Sequence, residues 1–99
     1  MNKAKIFYRP IEGSAPLSAT FIPGPKGDAV EATNQLGVGF FSHSLELLGV
    51  IFDDVQEEKD HQYLLFPNYR VEVWTRDGKV KISVKKRKNL ARNHSGKAA

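Results

Sequence analysis

The chain has no cysteine among its 99 residues, which removes disulfides, thiolate chemistry and cysteine-ligated zinc together. No stretch approaches the roughly 20 apolar residues that a membrane span requires. The opening segment, MNKAKIFYRP, holds no apolar run of signal-peptide length. These absences predict a soluble, cytoplasmic chain with no membrane partner. Also missing is any grouping of nucleophile, base and orienting residue at usable spacing, so a non-enzymatic role without a cofactor is expected. Acids are absent from positions 79 to 99, which carry 8 of the 15 Lys and Arg. Residues 1 to 78 set the other seven bases against all 11 acids, so the formal charge of +4 hides an acidic body and a basic end. Such asymmetry suits an acidic partner, either nucleic acid or an acidic protein surface; equally, the basic end can lie over the chain's own acidic segment.

What the chain does have is a 40% hydrophobic composition with six Phe, three Tyr and one Trp, enough for a single core at this length. One domain over residues 1 to 88 and a flexible basic tail over 89 to 99 follow from where the apolar pattern fades. The clearest local signal is Tyr69 to Lys86, YRVEVWTRDGKVKISVKK. Asp77-Gly78 sits between two alternating runs, and an Asp-Gly pair favours a two-residue type I′ turn because both central residues need positive φ. That turn sets Arg76 opposite Lys79, Trp74 opposite Lys81 and Val73 opposite Ile82. Val71, Val73, Thr75, Val80, Ile82 and Val84 then share one face, expected to be core. Arg70, Glu72, Trp74, Arg76, Lys79, Lys81, Ser83 and Lys85 share the other.

Upstream, Ile6 and Tyr8 alternate with Lys5, Phe7 and Arg9, and Pro10 follows, which predicts a short edge strand. Leu17, Ala19 and Phe21 alternate again as its hairpin partner, and the Pro- and Gly-rich residues 23 to 27 read as a connecting loop. Asp28 and Glu31 have capping-box spacing, predicting a helix to Leu36 that stops at Gly37-Val38-Gly39. Phe40 to Val55 fits two periods. Phe41, Leu45, Leu48, Phe52 and Val55 make a helical stripe, whereas Phe41, His43, Leu45 and Leu47 alternate as in a strand. The helical period is favoured, with Gly49 as its cap and Val50 to Phe52 as a short extended exit. The expected class is therefore α+β: an antiparallel sheet of about five strands ending in the hairpin, with one or two helices packed on one face.

Few residues suggest chemistry. His43 between two serines near Glu46 has the makings of a general base, but a lone histidine is more often a packing or surface residue. Asp53, Asp54, Glu57, Glu58 and Asp60 carry oxygens suited to a hard cation but lack the EF-hand order, so no metal site is expected. Gly37 and Gly39 lack the third glycine of a dinucleotide fingerprint. The basic hairpin face remains: Arg70, Trp74, Arg76, Lys79, Lys81 and Lys85, continued by Arg87 and Lys88, combine phosphate-neutralising cations with a ring on which an unpaired base can stack. Competing with that reading is edge protection by solvated lysines over a covered Trp74. A third possibility is a protein-interaction module, an inhibitor or adaptor using the acidic 53 to 60 segment or the basic tail. Asn68-Tyr69-Arg70-Val71, the Asp77-Gly78 turn, Lys79 to Val84 and the Lys85 to Lys88 run also resemble the terminal hairpin and basic end of RelE/ParE-type toxins. That resemblance spans residues 68 to 88 of the 99. It implies helices followed by an antiparallel sheet, in some members messenger-RNA cleavage on ribosomes, and Arg70, Lys81 and Arg87 as the residues to suspect. The opening hairpin departs from that pattern.

Overall fold

Residues 4–22 and 29–87 are described by the computed structural model, and within them period-two alternation builds eight strands in two antiparallel sheets. The first sheet contains β1 (Lys5–Tyr8), β2 (Ser14–Thr20), β3 (Val30–Asn34), β4 (Gly37–Phe41) and β5 (Leu47–Gln56), in the order β1-β2-β5-β4-β3. The second is a meander of β6 (Asp60–Leu65), β7 (Tyr69–Arg76) and β8 (Lys79–Lys86). Register aligns Tyr8, Leu17, Phe52, Gly37 and Asn34 in one row of the first sheet, and Ile6, Ala19, Val50, Gly39 and Ala32 in the next. Leu17, Phe52, Val50 and Val55 from the first sheet share a core with Leu64, Val71 and Val73 from the second. All seven are fully buried, each contributing about 1.5–3 kcal/mol relative to exposure.

The expected α+β class is overturned. Among the described residues there is no helix, and the domain is all-β. Glu31 lies in β3 and not in a helical first turn, while Asp28 falls outside the described residues, as do residues 23 to 27. Gly37 and Gly39 stop no helix; they are buried strand residues. A Cβ on Gly37 would run into the carbonyl of Ile51, and one on Gly39 would meet the Phe66 ring at 2.6 Å. The glycines are there because neighbouring backbone and an aromatic ring occupy the space of a side chain. Phe40 to Val55 is likewise not helical: β4 ends at Phe41, a loop spans 42 to 46, β5 begins at Leu47, and Gly49 caps nothing but pairs with both Thr20 and Phe40.

The helical stripe expected there is a product of two β-bulges on β5. Phe40 pairs with Gly49 but Phe41 pairs with Leu47, so Leu48 is an extra residue. Leu17 pairs with Phe52 but Ala15 with Val55, which leaves both Asp53 and Asp54 against Pro16. Pro16 has no N–H to offer the ladder, and a bulge is where a strand accommodates that. Each insertion shifts the alternation by one, so Phe52 and Val55 point to the same side at helical spacing. Leu45 of the supposed stripe sits in the β4–β5 loop at φ 70°.

The C-terminal hairpin has the expected register pair by pair, from Arg76↔Lys79 to Arg70↔Lys85, with Asp77 and Gly78 both at positive φ. β6 extends it into a sheet through a turn closed by Phe66 and Tyr69, whose backbone groups bond each other. The two sheets are joined at the β5–β6 corner. There Thr75 Oγ1 donates to the Gln56 carbonyl at 2.9 Å and accepts from the Asp60 N–H at 3.0 Å. The Asp60 carboxylate in turn accepts from the Gln56 and His61 N–H groups, both at 2.8 Å. Among the described residues no helix is long and apolar enough to cross a membrane. The expected tail over 89 to 99 lies outside the described residues.

Candidate nucleic-acid interface

Leu64, Val71, Val73 and Thr75 on the inner face of the second sheet are buried, Val80 and Ile82 are half-buried, and Val84, expected in the core, is exposed at the end of that face; the alternate residues of β6, β7 and β8 stand on the outer face. Register arranges them in rows: His61, Trp74 and Lys81; Tyr63, Glu72 and Ser83; Leu65, Arg70 and Lys85; and, at the turn, Arg76 with Lys79. The His61 and Trp74 rings lie parallel, with centroids 5.0 Å apart and 4° between planes. In the neighbouring row the Arg70 guanidinium carbon sits 4.5 Å from the centre of the Tyr63 ring. Three rings and a guanidinium plane thus stand side by side on a sheet that holds them rigidly from below. Among the described residues no other element covers them: the first sheet packs on the opposite side.

The indole is half-buried, and its two faces differ. His61, from β6, closes one. Lys81, from β8, approaches the other only loosely, its ammonium 6.0 Å from the ring centroid, near the outer limit of cation–π attraction. On that side an open depression is lined by Trp74, Arg76, Asp77, Lys79, Val80 and Lys81, so one carboxylate stands at its turn end among three cations. A flat base entering it needs only a flexible lysine to swing aside.

Glu72 is the one acid in these rows. Its carboxylate accepts from Arg70 at 3.0 Å and lies 3.3 Å from His61 Nε2. The Arg70 hydrogen bond chiefly, helped by His61, holds its carboxyl below the ordinary glutamate value. The acid orients the two groups that frame the rings and offsets a single charge, while Arg76, Lys79, Lys81 and Lys85 remain exposed around it.

The structure brings together six of the residues the sequence pointed to: Arg70, Trp74, Arg76, Lys79, Lys81 and Lys85. Arg87 is tied down beyond them, donating its guanidinium to the Phe66 carbonyl at 2.7 Å. Lys88 falls outside the described residues. No protein family, curated protein or solved structure matches the chain. The fold implied by the toxin resemblance, helices followed by an antiparallel sheet, is not the one found.

His61 and Tyr63 were missed by sequence reasoning, and they triple the aromatic content of the face. Their signal was available. In HQYLLF, His61, Tyr63 and Leu65 alternate with Gln62 and Leu64, and Pro67-Asn68 is a turn, so a third strand paired to Tyr69–Arg76 carries them onto the face of Trp74. The other candidate groups are not assembled for chemistry. His43 is exposed in the β4–β5 loop, where Ser42 Oγ and Ser44 Oγ lie 2.9 Å apart and Ser42 Oγ accepts from the Glu46 N–H, so the serines bond each other and the backbone. Among the described residues no three His, Asp or Glu side chains come together as a metal site.

Proposed function

We propose that this chain is a non-enzymatic, cytoplasmic binding protein that takes single-stranded nucleic acid on the outer face of β6, β7 and β8. The observation that carries the proposal is the His61–Trp74 stack beside Tyr63 and Arg70, ringed by exposed Lys and Arg. Base stacking on such rings is worth about 1–3 kcal/mol per base and tolerates any sequence, and the cations supply the phosphate term. In this reading a base slides between the indole and the Lys81 stem, releasing the ammonium toward the adjacent phosphate. Arg76 and Lys79 meet the next phosphate at the turn, and Lys85 continues the track past Arg70.

Because the chain has one Trp, its fluorescence reports this site alone. Titration with a mixed-sequence DNA or RNA 12-mer should quench it. The logarithm of the binding constant should fall linearly with the logarithm of salt, at a slope of roughly −2 to −3.5 for three to five neutralised phosphates. Emission unmoved by either oligonucleotide at low salt would refute the proposal and favour the protein-interaction reading.

A further inference from the structure

The outer face of the first sheet differs sharply from that of the second. Two unbroken rows cross it. One runs Phe7, Ser18, Ile51, Val38 and Thr33; the other runs Lys5, Thr20, Gly49, Phe40 and Glu31. The interior of the patch carries no charge; Val38, Phe40 and Ile51 are half-buried, and Phe7 at the β1 edge is 60% exposed with the Arg9 guanidinium carbon 5.4 Å from its ring centre. A sandwich normally turns polar residues outward from its sheets, so phenylalanine, valine and isoleucine in these rows call for a partner. The only charges in the two rows stand at opposite edges of one row, Lys5 on β1 and Glu31 on β3, both exposed.

That placement has a consequence for self-association. A two-fold axis parallel to the strands and passing over the central strand β5 lays the same face of a second copy on the first, exchanging the β1 and β3 edges. Ile51 then meets its own counterpart. Phe40 lies over Thr20 of the partner subunit, and Lys5 of each copy lies over the partner's Glu31, so the ion pair forms twice. A self-complementary patch of this kind is what an isologous dimer uses. We infer that the chain forms a face-to-face dimer through the outer face of β1, β2, β5, β4 and β3, with reciprocal Lys5–Glu31 pairs setting its register. The second sheets then point away from each other, leaving both basic faces free. Two rows across five strands cover less than the roughly 800 Å² per partner of a standard interface, so the dimer is weak and concentration-dependent.

The test is sedimentation equilibrium of the full chain from micromolar to millimolar concentration, with circular dichroism confirming that each variant folds. The parent should pass from monomer to dimer. Lys5→Glu and Glu31→Lys should each weaken association on the order of tenfold or more, because each converts both ion pairs to like-charge contacts; the double exchange should restore it. Phe7→Lys, at a position 60% exposed on the edge strand β1, should also dissociate the dimer. A chain monomeric throughout, or a dimer indifferent to the charge exchanges, would overturn the inference.

Discussion

Replacing Trp74 with alanine separates a platform from a core residue. In the folded chain the indole contributes the parallel His61 stack at 5.0 Å and the loose Lys81 contact at 6.0 Å. An aromatic pair is worth about 0.5–1.5 kcal/mol and an exposed cation–π contact about 0.5–1. Trp74→Ala should therefore cost only about 1–2.5 kcal/mol of stability, since it opens no enclosed cavity. A buried tryptophan would cost about 3–5. On the ligand side the loss of one stacking ring should weaken oligonucleotide binding by roughly 5- to 150-fold, the equivalent of about 1–3 kcal/mol. Thermal melts by circular dichroism give the first quantity, and anisotropy of a labelled 12-mer gives the second. Binding that changes less than twofold while the fold loses about 3 kcal/mol or more would make Trp74 a structural residue and refute its role as a platform.

Other substitutions probe separate parts of the same account. Gly37→Ala sets a Cβ against the Ile51 carbonyl, an obstacle made of backbone; a loss of at least about 2 kcal/mol, or roughly 10 °C in Tm, is expected in a thermal melt. Glu72→Gln removes the one acid from the outer-face rows of β6, β7 and β8, leaving Asp77 at the turn, and releases Arg70, so oligonucleotide should bind several-fold tighter at low salt, the gain fading as salt screens the face. The Arg70 bond lowers the folded Glu72 value below 4.5, so its stabilising contribution is present above pH 4.5 and lost as pH falls through that lower value; an NMR acid titration should find Glu72 among the last glutamates to protonate. Tyr8 donates its hydroxyl to the Val55 carbonyl at 2.7 Å, and burial first, then Glu57, Asp60 and Asp54, push its phenol above 10.0. Stability from the neutral phenol should persist below pH 10 and be lost as pH rises through the higher folded value, an effect Tyr8→Phe removes in alkaline melts.

Where the polypeptide obeyed a single period, its letters were enough to place it. Asp77-Gly78 and the flanking alternation fix the β7–β8 register without help from the rest of the chain, and Ile6, Tyr8, Leu17 and Ala19 pair as their alternation implies. The middle defeated that method for a stated reason. Bulges at Leu48 and at Asp53-Asp54 each add one residue to β5, and a strand shifted twice presents its apolar residues at spacings of three and four. Glycine misled in the same region. Gly37 and Gly39 looked like a helix stop because the tertiary reason for them, the Ile51 carbonyl and the Phe66 ring, comes from residues 12 or more positions away.

The candidate site was half legible for a related reason. Its basic half lies on one hairpin, where turn chemistry alone brings Trp74 opposite Lys81. The aromatic half depends on β6 joining β7 as a third strand, and nothing within HQYLLF says which way its side chains turn until the Pro67-Asn68 turn fixes the pairing. Once Leu65 is set against Arg70, alternation puts Tyr63 beside Glu72 and His61 beside Trp74. A single indole in a field of lysines is equally a guarded edge. The same indole stacked on His61, with Arg70 over Tyr63 in the next row and no element above them among the described residues, supports the proposal of a surface on which a base would gain contact area while its phosphate finds a cation within one side-chain length. What favours the proposed binding face over edge protection is therefore β6, the strand whose membership in the sheet was not foreseen.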